Sequence, residues 1–276
     1  MGKGNFFDKL IRQRSEPENF KVFVSMCVHR SMDAGGWNSL LRFMLCPNPK
    51  VSLSQRRGEA DIGRSRSIEA TNFYLDTDAD VLMFIDDDIV YDELDAVKLC
   101  RLAYEKKSVV GATYIIKKAD RTSKITTRLW DGQEIYFAKK APPEKVMFVS
   151  NGFMAIHREV FTDMIKNLPK DEIEMTHENN LLRNYPFFMP YASYLPNQYK
   201  IFLSEDWAFC DRVLRLGRDV WLDPSIRLKH AGRYEYELED LTRVPKQQAE
   251  CVHVYDWEEK TYADEVSQIS PISVVA

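Results

Sequence analysis

The chain has 276 residues, of which 45% are apolar and 29% charged, and its formal net charge is −4. That is an ordinary globular mixture, with enough apolar material for one large α/β domain or two small ones. The slight acidic excess excludes a global attraction to nucleic acid or to an anionic membrane.

Residues 1–19 read as an amphipathic helix, with Phe6, Phe7, Leu10 and Ile11 on one side and no signal-peptide core or cleavage site. Phe20 to Val28 reads as a strand. Trp37, Leu40, Leu41, Met44 and Leu45 recur at helical spacing. A short strand over Val51 to Leu53, a helix over Ile62 to Leu75 and a buried strand over Val81 to Ile85 follow. Then come a helix over Leu94 to Tyr104 and a strand over Ser108 to Ile116. This β-α-β-α-β-α-β order predicts a mostly parallel central sheet with helices on its faces.

The second half changes character. Ile125 to Thr127 and Glu134 to Phe137 flank Trp130-Asp131-Gly132, a hairpin signal, and Val146 to Val149 reads as a strand. His157 to Asn167 looks helical. The polar and aromatic stretch from Lys170 to Tyr199 reads as a long connection of the kind that forms lids and binding loops. Glu205 to Leu216 is a helix ended by Gly217 at its C′ position, with Ser204 as N-cap. Val220 to Leu222 and Ile226 to Leu228 are short strands. The expected organisation is a helix over 1–19 and a domain over 20–235, divided into a nucleotide-binding half (20–118) and an acceptor half (119–235), with an extension over 236–276.

Five cysteines, at 27, 46, 100, 210 and 251, are widely spaced, odd in number and form no CxxC. Buried free thiols in a reducing compartment follow, hence a cytoplasmic protein. No stretch approaches the roughly 20 apolar residues of a membrane span.

Asp86-Asp87-Asp88 directly follow the apolar strand Val81 to Ile85. A buried strand in an open α/β sheet discharges such residues into the crevice where ligands bind. Adjacent carboxylates repel one another and are costly to desolvate, and a hard divalent cation is the usual remedy. Helix capping accounts for Asp92, Glu93 and Asp95, but not for three acids on the strand end itself. Late in the chain, Glu205-Asp206 opens a helix, and His230 precedes a Gly turn. Lys106-Lys107, Lys117-Lys118, Arg121, Lys124 and Arg128 form a basic stretch, read as a solvated face that leaves duplex DNA open as a partner.

Taken in order, these features resemble the GT-A nucleotide-sugar glycosyltransferases, from about Lys21 to Gly232. Ser204-Glu205-Asp206-Trp207-Ala208-Phe209-Cys210-Asp211-Arg212, then Leu216-Gly217, is similar to the family's ED-xx-F-C-x-R helix ending in Leu-Gly. Val220-Trp221-Leu222-Asp223-Pro224 and His230-Ala231-Gly232 continue it, and Ser65-Arg66-Ser67 stands where many relatives have Ala-Arg-Asn. The compact layout resembles family members encoded by phages and large viruses.

The resemblance implies a GT-A-like sheet with a small antiparallel acceptor-side sheet, and sugar transfer from a nucleoside diphosphate sugar, by default a UDP-sugar, to an acceptor hydroxyl. It makes Asp206 the general base of an inverting enzyme, with Glu205 beside it. Asp88 and His230 become metal ligands, and Asp86 faces the ribose or a metal-bound water. Mixed carboxylate and imidazole ligation leans towards Mn²⁺, with Mg²⁺ open. Asp87 counts among the donor-binding acids without a fixed place, and Arg66 and Arg64 fall to the diphosphate. Ser25, Cys27, His29 and Arg30 end the first strand, where base and ribose bind in this fold, and Asn151-Gly152 lie near the donor sugar. Tyr185, Phe187, Phe188, Tyr191 and Tyr194 suggest an aromatic acceptor platform. A glycan, a protein, a lipid-linked sugar or a modified base in DNA remain open as acceptors. A retaining enzyme, a nucleotidyltransferase and a non-catalytic carbohydrate-binding protein are the alternatives.

Overall fold

The computed structural model describes residues 19–28, 31–116, 124–178, 182–194, 199–232, 235–238, 240 and 252–254. The expected N-terminal helix, His29, Arg30, three members of the basic stretch (Lys117, Lys118 and Arg121) and most of the C-terminal extension lie outside them. The first half runs β1 (Lys21–Val28), α1 (Ala34–Met44), β2 (Lys50–Arg57), α2 (Ile62–Asp76), β3 (Val81–Ile85), β4 (Ile89–Val90), α3 (Glu93–Lys106) and β5 (Val109–Gly111). Next come β6 (Ile135–Phe137), β7 (Glu144–Val146), β8 (Phe153–His157), α4 (Arg158–Asn167), α5 (Lys170–Ile173), β9 (Thr176–Glu178) and β10 (Leu182–Asn184). The chain continues through β11 (Tyr191–Tyr194), β12 (Lys200–Leu203), α6 (Glu205–Arg215), β13 (Val220–Leu222), β14 (Lys229–His230) and β15 (Val252–Val254).

A seven-stranded sheet in the order β2-β1-β3-β8-β5-β13-β7 forms the centre. β2, β1, β3, β5 and β13 run one way, and β8 and β7 run against them. The fold is thus mixed α/β with a mostly parallel sheet, flanking helices and small antiparallel ladders. The strands bury both faces. Phe23, Leu82, Phe84, Met154 and Ile156 pack with Phe73 of α2, Phe161 of α4 and Phe209 of α6. Val22, Val24, Val81, Met83 and Phe153 pack on the other side with Leu40 and Phe43 of α1 and Leu99 of α3. Alternation along each strand divides its apolar residues between the two layers.

Several sequence expectations are corrected. β8 was not anticipated: its apolar run sits between an expected Gly turn and an expected helix, yet it fills the sheet's centre between β3 and β5. The hairpin over 125–137 does not form. Gly132 makes its turn, with Gln133 N donating to Trp130 O at 3.0 Å. The flanks part, however: β6 pairs with β15, while Ile125 and Arg128 bridge to Ile115 and Phe148. The expected strand at 146–149 contributes only Val146, to β7. Ile226 and Leu228 are buried without being strand.

The 170–199 connection is no open lid either. It forms α5 and the ladders β9-β10 and β11-β12, and buries Phe187 and Phe188 completely. The helix α1 turns a different face inward from the one its apolar stripe suggests. Trp37, Leu41 and Leu45 are 43%, 41% and 67% exposed. Gly36, Ser39, Leu40 and Phe43 face inward, with Ser39 Oγ donating to Tyr91 O at 2.8 Å and Gly36 lying on the backbone of 87–89.

Asp95 stands in the first turn of α3, and burial, helped by neighbouring Asp92 and opposed by Lys98, pushes its carboxyl up to about 7. Its unfolded value is about 3.9. The raised folded value means that this group's stability contribution is complete below about pH 4 and is lost as the pH rises through about 7. Asp95→Asn should therefore gain stability over the parent across that window, by on the order of 3 kcal/mol. Urea denaturation at pH 4 and pH 8 measures it, and a stability difference that is the same at both pH values contradicts the assignment.

Candidate active site

The C-terminal ends of β1, β3 and β5 lie on one edge of the sheet, and antiparallel β8 begins there. Asp86 leaves β3 and extends the β3-β8 ladder, its N donating to Gly152 O at 2.9 Å. The turn after it is anchored twice: Asp33 N donates to Asp87 O at 3.0 Å, and Ala231 N to Asp88 O at 2.8 Å. The helix α1 approaches closely because residues 35 and 36 are glycines. A Cβ at 36 would stand 3.1 Å from Asp87 O, and one at 35 would stand 2.7 Å from Val90 Cγ2. These glycines serve helix packing.

His230 reaches the acids through local pairing. β14 runs antiparallel to β4, setting His230 opposite Ile89, one residue beyond Asp88. Its Nδ1 lies 2.6 Å from Ile115 O, so Nδ1 carries the hydrogen and donates it. Nε2 lies 3.4 Å from Asp88 Oδ1, an ion pair if the imidazole is protonated and a lone pair facing a carboxylate if it is neutral. A neutral histidine whose other ring N–H is fixed by a carbonyl has the orientation of a metal ligand. Asp86 does not join them. Its Oδ1 accepts from Arg66 Nη2 at 2.6 Å. Among the described residues no group of three His, Cys, Asp or Glu is arranged to hold a metal ion. Of the expected ligands, Asp86 is thus paired with Arg66, while Asp88 and His230 lie beside each other.

Arg66 is the hinge of the site. From α2 its Nη1 donates to Glu205 Oε1 at 3.0 Å while Nη2 holds Asp86. Burial pulls its pKa down, but the two carboxylates outweigh that, and it lies above its ordinary value. Burial pushes Glu205 above the usual carboxylate range; Arg66 opposes this, and Asp206 adds to it. Asp206 Oδ1 accepts from Trp207 N at 2.8 Å and from the Ser204 hydroxyl. Ser204 thus occupies the N-cap position without capping through its side chain. Oδ2 of Asp206 takes no hydrogen bond among the described residues.

The structure brings Asp86, Asp88, Glu205, Asp206, Arg66 and His230 to one place. Arg64 and Ser25 fall elsewhere. Arg64 pairs with Glu59. Ser25 lies inside β1, fully buried, and donates to Glu69 Oε2 at 3.2 Å. Asn151 is completely buried, and neither atom of its side-chain amide has a hydrogen-bond partner among the described residues. Such a group costs about 1–3 kcal/mol unless water or a ligand meets it. Of the basic stretch, Lys106 lies over Trp221, Lys107 pairs with Glu159, and Arg128 holds Tyr199.

Sequence reasoning missed Tyr114. Its ring meets His230 edge-on at 4.9 Å, and its hydroxyl pairs with Ser150 Oγ at 2.8 Å. Burial, then Asp86, raises its pKa, so the phenol stays neutral. Gly152 leaves room for that ring: any Cβ there would collide with it. The signal available was position, three residues past a Gly at the end of a strand. A cavity of about 220 Å³ lies nearby, where Cys27 and Val28 end β1, Arg56 comes from β2, and Glu59 and Ser65 flank the start of α2. The Nε of Arg56 is buried there without a hydrogen-bond partner among the described residues.

No protein-family model matches the chain, and no curated protein matches it. Among solved structures it is similar to the crystal structure of A197 from STIV, at 17% identity and a TM-score of 0.47, over 79% of this chain and 93% of that one. Among the described residues no helix is long and apolar enough to cross a membrane.

Proposed function

We propose that the protein is a metal-dependent glycosyltransferase that moves a sugar from a nucleoside diphosphate sugar, by default a UDP-sugar, to an acceptor hydroxyl with inversion. The observation that carries this reading is that Arg66 ties Glu205, beside Asp206, to Asp86, two residues before the Asp88 that meets His230, at the ligand-binding edge of the sheet. Asp88 and His230 would hold Mn²⁺ or Mg²⁺, which as a Lewis acid would neutralise charge on the departing diphosphate. Two protein ligands suit a cation that takes its remaining positions from phosphate oxygens and water.

The chain's own groups supply the rest. The acceptor oxygen bonds to the anomeric carbon as the bond from that carbon to phosphate breaks, with the electron pair leaving on the diphosphate. Asp206 Oδ2 takes the hydroxyl proton. Arg66 is a positioning residue that holds Asp86 and Glu205 apart and aligned. The cavity beside Cys27 and Arg56 suits the nucleoside, and the unpartnered amide of Asn151 offers a donor and an acceptor to the donor sugar. A nucleotidyltransferase is disfavoured, because Gly35 and Gly36 pack against Val90 and the backbone of Asp87 rather than forming a phosphate loop.

Thermal melting with a panel of nucleoside diphosphates and nucleotide sugars, with Mn²⁺ or with chelator, tests this. One donor should raise the melting temperature strongly in Mn²⁺ and weakly in chelator, since a specific ligand stabilises by mass action. Asp88→Asn should lose the metal-dependent part. A panel without effect in either condition, or release of pyrophosphate in place of nucleoside diphosphate, overturns the reading.

A further inference from the structure

We propose that the acceptor of this site is a neutral pyranose chain, seated in an aromatic groove that runs from Asp206 along α6. The inference rests on the sugar-transfer reading for what happens at Asp206, but the groove's chemistry is its own. Trp207 follows Asp206 directly and packs on Phe148, ring centroids 5.4 Å apart. Arg128 lies over the Trp207 ring at 5.7 Å and donates through Nη2 to Tyr199 Oη at 3.3 Å. Trp207, Asp211 and Leu214 stand four and three residues apart and so share one face of the helix. That face leads to a cavity of about 320 Å³, where Trp130, Phe148 and Tyr194 meet Asp211, Leu214 and Arg215. From residue 206 to 214 the helix rises about 12 Å, long enough for more than one ring.

Two features identify the occupant. First, Trp130 and Tyr194 are 39% and 70% exposed, although both line a concavity. Large rings left open in this way mark a binding surface. Second, the charges lining the cavity are compensated, while Lys200 Nζ lies over the Tyr194 ring at 5.7 Å. Arg215 donates to Glu172 and lies 3.4 Å from Asp211, which also accepts the Tyr191 hydroxyl. A phosphodiester backbone is held by cations that it neutralises, and here the cation of the cavity is already matched. A pyranose instead offers an apolar C–H face to an aromatic ring and a rim of hydroxyls that both donate and accept. Asp211 and Arg215 can meet that rim, and so can the buried Nε of Arg128, which has no hydrogen-bond partner among the described residues. Pockets of this composition, apolar walls with a few placed polar groups, are ligand sites.

The test is titration of the full chain with maltotriose, cellotriose, mannotriose and chitotriose, followed by ligand-observed NMR. At least one should bind saturably in the millimolar range. Trp130→Ala and Tyr194→Ala should each weaken binding roughly tenfold, about 1.4 kcal/mol. Tyr194→Phe, which keeps the ring, should retain it. No binding by any of the four, equal binding by the parent and both alanine variants, or duplex DNA that displaces the saccharide overturns the inference. Melting shifts with nucleotide sugars, measured on the same parent protein, report separately on sugar transfer. Saccharide binding without a nucleotide effect would sink that reading and leave the groove's ligand class in place.

Discussion

Asp206→Asn should abolish sugar transfer while nucleotide binding persists. The amide keeps the side chain's size and can still accept from Trp207 N, which meets Asp206 Oδ1 at 2.8 Å in the parent. It cannot take a proton. Positioned general bases contribute about 10²–10⁴-fold, and a loss of that size is expected in kcat for transfer. Donor affinity should hardly move, because the groups assigned to the diphosphate and nucleoside lie on β1, β2 and β14 and in the turn after β3. Transfer assays beside nucleotide titrations separate the two quantities. Turnover within tenfold of the parent would remove Asp206 from the role, and a retained anomeric configuration in the product would do so independently.

Arg66→Met should cost about 3–5 kcal/mol of stability, the usual result of removing one partner from a buried ion network. The guanidinium is almost wholly buried and serves two carboxylates of separate elements, Asp86 after β3 and Glu205 at the start of α6. Without it both carboxylates lose their counter-charge in a poorly solvated place. Glu205, already pushed upward by burial and by Asp206, would rise further. Arg66→Lys should rescue little, since one ammonium cannot reproduce the planar fork. Adding Asp86→Asn and Glu205→Gln to Arg66→Met should recover much of the stability, because the uncompensated charges are then gone. Denaturant unfolding of the four proteins measures this. A cost below about 1 kcal/mol for Arg66→Met would show that the network is solvated rather than buried.

The fold was legible where local pattern and burial coincide. Five apolar residues closed by three aspartates announced β3, and Gly217, at φ 73°, ended α6 as its position suggested. Three things were not legible. β8 looks like β3 in composition, and no local signal says that it runs the other way. Of the stripe Trp37, Leu40, Leu41, Met44 and Leu45, Leu40 is buried but Trp37, Leu41 and Leu45 face outward, since Gly36 and Ser39 allow a closer approach on the other side. Phe187 and Phe188 read as a surface platform because they sit among prolines and polar residues, yet both are core. Of the expected platform Tyr194 stays exposed, and among the described residues so do the rings of Trp37, Trp130, Tyr199 and Phe202.

By itself the sequence determined which residue types stand at the ends of which elements: acids after a buried strand, an acidic pair at a helix start, an imidazole before a Gly turn. Only the tertiary structure decided their partners. Asp86 went to Arg66, Asp88 came to lie beside His230, Tyr114 came in against the imidazole, and the Asn151 amide was left without a hydrogen-bond partner among the described residues. The physical reason is that burial and propensity act through neighbours in the chain, whereas charge pairing depends on distance in space. Chain folding sets that distance between segments whose spacing in sequence says nothing about it.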